Sequence, residues 1–136
     1  MNDQLREPPY PFQIHLGFSI EEWSLDYCRL SQPMLDHLGN RDGFPHGGAM
    51  ATLLDTAMGY SISFTGDPNV ITRLVTLSLN VQYLSIARGQ TLIAEGFKIG
   101  GGRTIAFTEG RIKDEQGTLI ATATANFKYR SGKGKS

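Results

Sequence analysis

The stretch NRDGFPHGGAMATLLD, residues 40–55, decides the fold because a turn-rich run passes directly into a helical pattern. From Gly48 onward, apolar residues recur at intervals of three and four, which is the stripe of an amphipathic helix. The stripe consists of Met50, Leu53, Leu54, Ala57, Met58 and Ile62. We expect this helix to continue to about Phe64, where the turn signal TGDPN follows.

The segments on both sides of the helix alternate like strands. SIEEWSLDYCRL, residues 19–30, places Trp23, Leu25 and Tyr27 at a period of two and predicts one strand with a buried face. VITRLVTLSLNVQYL, residues 70–84, predicts a long half-buried strand. Its alternating apolar positions are Ile71, Val75, Leu77, Leu79, Val81 and Tyr83.

Three further strands are predicted after residue 90. They lie in TLIAEGFKI, RTIAFTEGRIKD and TLIATATANFKYR, and the turn DEQG joins the last two. The final strand is expected to bury one face with small side chains that let another layer approach closely. That face consists of Leu119, Ala121, Ala123, Ala125 and Phe127.

The predicted order is one strand, one long helix and four long strands in antiparallel succession. A helix of this length is roughly 25 Å long and the strands roughly 33 to 45 Å, so a curved sheet could wrap most of the helix. The sequence therefore predicts an α+β protein with the hotdog fold, in which a curved antiparallel β-sheet wraps a long central α-helix.

Size and composition indicate one domain. The chain has 136 residues, of which 40% are hydrophobic, so we expect a single domain of residues 1–136 with a core of about residues 15–129. The first dozen residues contain three prolines and predict an arm on the surface. The basic end SGKGKS is expected to be flexible.

Charge and targeting signals limit the partners. Thirteen basic residues balance thirteen acidic ones, so no overall field favours nucleic acid or an anionic membrane. The single cysteine, Cys28, cannot form an intramolecular disulfide and fits a small buried hydrophobe. Neither a signal peptide nor 18 consecutive apolar residues are visible, so we expect a cytoplasmic protein.

Asp55 is the unusual residue of the helix, because its neighbours predict a buried surface. An aspartate at such a position needs either a hydrogen-bonding partner or a chemical function. From its spacing alone, a structural role and a functional one are equally supported.

Gly47 and Gly48 stand at the predicted start of the helix. Without side chains, they leave the unpaired N–H groups of the first turn open to a ligand, with the positive end of the helix dipole behind them. An oxygen that gains negative charge would be stabilised there. The alternative is that the pair only permits a tight turn after Pro45.

The spacing of these two features has a consequence for assembly. Gly47 and Asp55 lie eight residues apart, roughly 12 Å along a helix, whereas one reacting carbonyl and its water span only about 7 Å. One chain cannot supply both groups to one substrate. If both are catalytic, a two-fold dimer with antiparallel helices must place Gly47 of one protomer opposite Asp55 of the other.

His46 and Asn40 precede the helix. His46 could organise the turn or act as an acid or base, and it has no metal-ligand spacing with His37 or His15, so no metal is expected. Asn40 fits an ordinary turn residue, although its amide could instead orient a water or a substrate.

The run KIGGGRT, residues 98–104, joins two predicted strands. Its exposed N–H groups and Arg103 could hold phosphate, whereas a plain flexible hairpin is the simpler interpretation. No Gly-x-Gly-x-x-Gly precedes a helix, so a Rossmann nucleotide site is not supported.

The chain resembles a known enzyme family. Its spacing of Asn40, His46, Gly47, Gly48, Leu54 and Asp55 is similar to that of hotdog-fold acyl-CoA thioesterases of the phenylacetate-pathway (PaaI-like) and THEM-like type. The likeness continues through VTLSLNVQYL, the position of Arg88 and Gly89, GGRT with AFTEGRI, and GTLIATATANF, over about residues 15–129.

The resemblance implies hydrolysis of an acyl-CoA thioester to a free acid and CoA. By this resemblance Asp55 is a general base or nucleophile, and the Gly47 N–H polarises the thioester carbonyl. Asn40 would orient the water or thioester, and His46 would support the turn and the leaving group. Thr76 would lie close to the carboxylate.

The same resemblance implies where CoA binds. The nucleotide end of CoA would meet Arg88, Gly102, Arg103 and Thr104, with Lys128 a weaker candidate. Gly48 and Thr76 complete the predicted substrate- and CoA-binding set. No metal or bound cofactor is implied, and dimers of this family typically pair into tetramers. Ile86 stands where many relatives have proline, which leaves the chain path toward CoA open.

Two other functions and the acyl group stay open. A hotdog-fold hydratase or dehydratase would need another spacing of histidine and acid, and a non-catalytic acyl-CoA-binding protein would bind CoA esters without turnover. The sequence does not identify the acyl group. The side chains expected to shape its pocket lie at the subunit interface, near Met50, Met58, Tyr60 and Phe64.

Overall fold

A computed structural model describes residues 5–130 of the protein, so the predicted flexible end at 131–136 lies outside the described residues. The chain order is α1 (Pro11–Leu16), β1 (Ser19–Ser24), β2 (Tyr27–Pro33), α2 (Gly47–Ser61), β3 (Arg73–Tyr83), β4 (Thr91–Gly101), β5 (Ile105–Asp114) and β6 (Leu119–Arg130). A 3-10 turn at Asp36–Leu38 precedes the loop to α2. The α+β hotdog architecture is confirmed.

The six strands form one sheet in the order β1-β2-β4-β5-β6-β3, and all neighbours are antiparallel. The predicted succession is wrong for β3, which does not pair with β4. Instead β3 lies at the edge beside β6, and residues 84–90 carry the chain across to β4. Alternating hydrophobicity identifies a strand but does not choose its partner, so the sequence pattern missed this crossover.

The first predicted strand is two strands, which corrects the sequence interpretation. Residues 25 and 26 form a two-residue turn, where Asp26 has the left-handed φ of 63°. Trp23 is buried, as expected, but Leu25 at the tip is 73% exposed. A strand pattern that continues through a tight turn looks unbroken in sequence, since aspartate tolerates the left-handed region without a glycine.

Helix α2 forms the centre of the core. It begins at Gly47 and ends at Ser61, three residues before the predicted end, where the Ile62 N–H turns back to the Gly59 and Tyr60 carbonyls. The predicted apolar stripe is buried along its whole length. Strand β4 approaches closely because it has Gly96 there, where any side chain would overlap the Ala57 carbonyl.

The last strand and the edge strand differ in burial. On β6 the three alanines and Phe127 of the predicted face are buried, but Leu119 at its start is 37% exposed. On β3 the predicted buried face is largely open, because a bulge between Thr76 and Ser78 shifts the alternation and no strand lies beyond the edge. Its exposed apolar residues are Val75, Leu77, Leu79 and Tyr83.

The N-terminal segment follows the predicted surface arm only in part. Residues 6–10 are irregular, but Pro11 already begins α1, where proline suits the first helical position. No helix among residues 5–130 has the length and apolar character needed to cross a membrane.

Candidate active site

The first turn of α2 is capped by His46. Its Nδ1 accepts a hydrogen bond from the Gly48 N–H at 2.8 Å, so the neutral ring carries its proton on Nε2. A side chain at Gly48 would sit only 3.0 Å from Nδ1, which explains the glycine. Of the two roles that the sequence left open for His46, the geometry shows the turn-organising one.

One peptide group of this turn is held from both sides. The carbonyl of Gly47 accepts a hydrogen bond of 2.6 Å from the Tyr83 hydroxyl, and the N–H of the same peptide, that of Gly48, is bound to His46. The Gly47 N–H belongs to the preceding peptide and has no acceptor among residues 5–130. It is therefore an oriented, free donor at the positive end of the helix.

Sequence reasoning missed Tyr83 as a site residue. It was expected only as a buried strand position, yet it is 51% exposed and reaches the helix from the end of β3. Tyr83 and Gly47 lie 36 positions apart, so no local sequence pattern could have revealed their hydrogen bond. The ring also lies 3.4 Å from where a Gly47 side chain would begin.

Asn40 organises the loop that leads into the helix. Its side-chain oxygen accepts hydrogen bonds from the N–H groups of Asp42 (2.9 Å) and Phe44 (3.2 Å). This is the ordinary turn role that the sequence offered as one alternative. The Arg88 guanidinium lies 5.6 Å from the Phe44 ring centre, so Arg88 and Asn40 line one cavity of about 410 Å³ at this end of the molecule.

Asp55 lies half-buried in the middle of α2 and faces strand β3. The Thr76 hydroxyl donates a hydrogen bond of 2.8 Å to its Oδ1, so the predicted proximity of these two residues is present. Burial raises the pKa of the Asp55 carboxyl, and the Thr76 hydrogen bond partly opposes that rise. A carboxylate that is poorly solvated but still accessible is well suited to accept a proton or to attack an electrophile.

An open groove of about 330 Å³ surrounds this carboxylate. The N-terminal arm contributes Glu7 and Tyr10, which sequence reasoning did not connect with the site. Helix α2, the residues that follow it, the edge strand β3 and its neighbour β6 supply the remaining wall. Its members include Thr56, Gly59, Tyr60, Ser63, Arg73, Leu74, Thr76, Phe127 and Arg130. Burial raises the pKa of the Tyr10 hydroxyl, and a hydrogen bond to Thr56 partly opposes that rise. The Tyr10 hydroxyl therefore stays protonated beside Asp55.

The two halves of the predicted chemistry do not meet within one protomer. Gly47 and Asp55 are separated by roughly 12 Å of helix, and Gly47 does not line the groove around Asp55. That one chain cannot complete the site stays a prediction, and it depends on this separation along the helix.

Four of the six residues predicted to bind the substrate or CoA fall into two groups, which the structure does not bring together. Arg88 precedes the start of β4, whereas Gly102, Arg103 and Thr104 follow its end. Eleven residues of strand separate the groups by more than roughly 30 Å. A single CoA site of one protomer cannot contain both, because the hairpin and the crossover leave opposite ends of the sheet.

The predicted acyl-pocket residues lie in different parts of the molecule. Met50 and Met58 are buried in the core, and Phe64 packs against Trp23 with ring centres 5.6 Å apart. Tyr60 alone of the four lines the groove beside Asp55. Helical periodicity cannot tell a core methionine from a pocket methionine, since both lie on the apolar side.

Metal chemistry has no candidate ligand set in the described part of the chain. No group of three or more histidine, cysteine, aspartate or glutamate side chains within residues 5–130 is arranged to hold a metal ion.

Comparison with known proteins adds a family to this geometry. The family model described as Thioesterase superfamily matches residues 42–121, more than half of the chain. A candidate esterase of Halobacterium salinarum is 34% identical over 83% of this chain and 80% of its own length. The medium/long-chain acyl-CoA thioesterase YigI of Escherichia coli is 29% identical over 86% of this chain and 84% of its own length.

The fold is also similar to that of a solved structure. The Escherichia coli PaaI protein from the phenylacetic acid degradation operon superposes with a TM-score of 0.78 at 18% identity, covering 89% of this chain and 85% of that one. Identity at this level supports the hotdog fold alone.

Proposed function

The chain belongs to the thioesterase superfamily and is a thioester hydrolase, and from this premise we propose that its substrates are acyl-CoA thioesters. Each substrate would be cleaved to a free acid and CoA. The observation that carries the proposal is the half-buried Asp55 carboxylate, held by Thr76 in an open groove. The name of its YigI relative supports the CoA ester as the substrate class.

Asp55 supplies the reactive oxygen. As a general base, it takes a proton from water, whose oxygen forms a bond to the thioester carbon while the C–S bond breaks and the thiolate of CoA takes up a proton. As a nucleophile, its oxygen bonds to the same carbon and forms an anhydride, which water then hydrolyses. Both routes need the ionised carboxylate, and the raised pKa that burial gives Asp55 makes it a stronger base.

The free Gly47 N–H supplies the donor for the carbonyl oxygen. Negative charge develops on this oxygen as the carbon becomes tetrahedral, and a fixed N–H at a helix N-terminus stabilises that charge without reorganising. His46 and Tyr83 hold the adjacent peptide, so the donor is oriented before substrate binds. Gly48 has no side chain that would block access to this N–H. Asn40 holds the preceding loop in shape by accepting a hydrogen bond from the Asp42 N–H.

A homodimer completes the site in this proposal. The free edge of β3 is 11 residues long and carries apolar side chains that are 38 to 53% exposed, whereas the opposite edge strand β1 has six residues. A long apolar edge is typical of a strand that pairs with another copy. Pairing of two β3 edges about a two-fold axis would bring antiparallel α2 helices together, with Gly47 of one protomer facing Asp55 of its partner.

CoA would contact more than one protomer. The Arg88 cavity lies at the helix N-terminal end, and the Gly102, Arg103 and Thr104 turn lies at the other, so the two groups would serve one CoA only from different subunits. This division supports a homotetramer made of two such dimers. Thr76 would act at the carboxylate end, and no cofactor takes part in the proposed steps.

The decisive experiment compares Asp55→Asn with the unaltered protein on a panel of acyl-CoAs, measuring released CoA thiol. We expect kcat to fall by at least about a hundredfold, because the base or nucleophile is lost. Glu109→Gln removes an exposed carboxylate of β5 and serves as the matched control, with activity unchanged. Equal rates for Asp55→Asn and the unaltered protein would refute the proposal, and tight CoA ester binding without turnover would favour a binding protein.

A further inference from the structure

Helix α2 contains a glycine that neither the backbone nor the packing requires. Gly59 lies in the last turn of the helix, where its carbonyl accepts the Ile62 N–H, a bond that alanine would keep. Its φ is not positive, and an added Cβ would make only ordinary contacts, 3.6 Å to Leu74 and 3.6 Å to Phe127. Gly96 is different, since any side chain there would overlap the helix backbone.

The space left by Gly59 belongs to the groove of Asp55. Gly59 follows Asp55 by four residues, so it lies about one helical turn, roughly 5.4 Å, further along the same side. Together with Leu74 and Phe127 it forms an apolar wall of this groove. Side chains that end in hydroxyls stand around that wall, namely Tyr10, Thr56, Tyr60 and Ser63.

We propose that this wall is the acyl subsite and that Gly59 sets the size of acyl group that the enzyme accepts. This inference rests on the proposed function, because it places the thioester carbon beside Asp55 and runs the acyl group along the helix toward Ser63. An acyl group longer than two carbons then passes directly over Gly59. The ligand class is an acyl group with an apolar body of medium length or an aryl ring.

The volume of the groove fits this class. About 330 Å³ lies at the lower end of the range of roughly 300 to 1,000 Å³ that small-ligand pockets occupy. Ligand pockets also combine an apolar surface with polar groups that fix orientation. Here the apolar Gly59 wall is surrounded by hydroxyls and by the charged side chains of Glu7, Arg73 and Arg130. An acetyl group is too short to reach the wall and should not sense it.

The test substitutes Gly59 by alanine and by valine and measures kcat/KM for acetyl-CoA, hexanoyl-CoA and phenylacetyl-CoA. Since one methylene changes discrimination in an apolar pocket by about tenfold or more, Gly59→Ala should lower kcat/KM for the two larger esters by at least about tenfold, mainly through KM. Activity on acetyl-CoA should stay within about twofold of the unaltered protein, because its short acyl group does not reach the wall. Gly59→Val should increase the discrimination.

A matched control and a folding control accompany these variants. Ser19→Thr adds one methyl at an exposed position of β1, the edge strand farthest from β3, and should leave all three esters unaffected. Thermal melting should show Gly59→Ala at least as stable as the unaltered protein. Equal loss for acetyl-CoA and hexanoyl-CoA, or no loss for either, would overturn the proposal.

A binding measurement separates this inference from the proposed function. In the Asp55→Asn background, calorimetry compares hexanoyl-CoA, acetyl-CoA and CoA, with and without Gly59→Ala. The subsite predicts that Gly59→Ala weakens hexanoyl-CoA about tenfold and leaves CoA unchanged. If the unaltered protein hydrolyses no ester, the proposed function fails, while this comparison still decides the subsite. Hexanoyl-CoA that binds no more tightly than CoA contradicts it.

Discussion

The first and third turns of α2 carry the two halves of the proposed chemistry, and the chain builds them in different ways. The Gly47 donor is oriented mainly by its neighbour His46, whose cap spans two residues. The Asp55 carboxylate depends on Thr76, which lies 21 residues away, and on an arm that covers the groove from the N-terminus. The helix start is therefore built mostly by consecutive residues, whereas the environment of the mid-helix carboxylate is set by residues far along the chain.

The difference also concerns burial. His46 and Gly48 at the helix start are exposed, so the contribution of the first turn is the fixed orientation of the Gly47 N–H. The third turn is half-buried, so its contribution is a shifted proton affinity. Variants that change only the Gly47 N–H donor, or only the pKa of Asp55, can therefore distinguish the contributions of the two turns.

The largest effect is expected from Gly47→Pro, which removes the donor alone. Proline suits the first helical position, and His46 has φ −66° and ψ 136°, a conformation that a residue before proline favours. We expect kcat to fall by about 10² to 10³-fold while the fold is retained. Gly47→Ala keeps the N–H and adds the same contact with Tyr83, so it should retain most activity.

Mixing protomers tests whether the two turns act across a dimer. Gly47→Pro and Asp55→Asn are each nearly inactive alone, but in a mixed dimer one of the two shared sites has both native groups. Random mixing should restore about one quarter of the unaltered activity. A mixture that stays inactive would place both groups in the same chain and would contradict the shared site.

Thr76→Val should produce the next largest effect. The hydroxyl lowers the pKa of Asp55, so its loss raises that pKa further. Since the reaction needs the ionised carboxylate, the acidic limb of kcat/KM against pH should move to higher pH, with rates on that limb lower by about tenfold. Thr124→Val, on the exposed face of β6, should leave the profile in place. An unmoved limb would mean that Thr76 does not tune the carboxylate.

Tyr83→Phe should have a smaller effect on the first turn. It keeps the ring against Gly47 and removes only the hydrogen bond to its carbonyl, so we expect kcat to fall by about three- to tenfold with KM unchanged. The pH profile should not move, because the variant leaves Asp55 untouched. Tyr129→Phe, at the other end of the sheet, is the control. A change in KM alone would assign Tyr83 to binding rather than to donor orientation.

The smallest effect concerns stability. Because burial raises the folded-state pKa of Asp55, its stabilising contribution is complete at low pH and is lost as pH rises through that pKa. Asp55→Asn should therefore raise Tm by a few degrees at pH 7 and less at pH 4. Glu115 has the opposite sign, since the Gln90 N–H lowers its pKa. Glu115→Gln should lower Tm at pH 7, and equal shifts for both variants would contradict this assignment.

Much of the fold followed from the sequence because its signals are local. The stripe of α2, the turn before it and the strands after it depend on periods of 3.6 and 2 and on glycine and proline. The first turn of the site was equally accessible, since His46, Gly47 and Gly48 are consecutive. The hairpin at Asp26 was missed because aspartate can adopt the left-handed conformation without a glycine to mark the turn. The other failures came where long-range partners decide, namely the edge position of β3 and the split of Arg88 from Arg103.

The sequence by itself determined that one helix offers a free N–H at its start and a carboxylate two turns later, too far apart for one substrate. Tertiary structure alone decided which strand lies at the open edge, that Tyr83 holds the helix start and that Tyr10 and Gly59 shape the groove of Asp55. The physical reason is that periodicity and capping involve residues a few positions apart. The burial of a side chain and the residues that contact it are set by elements that pack against it from far along the chain.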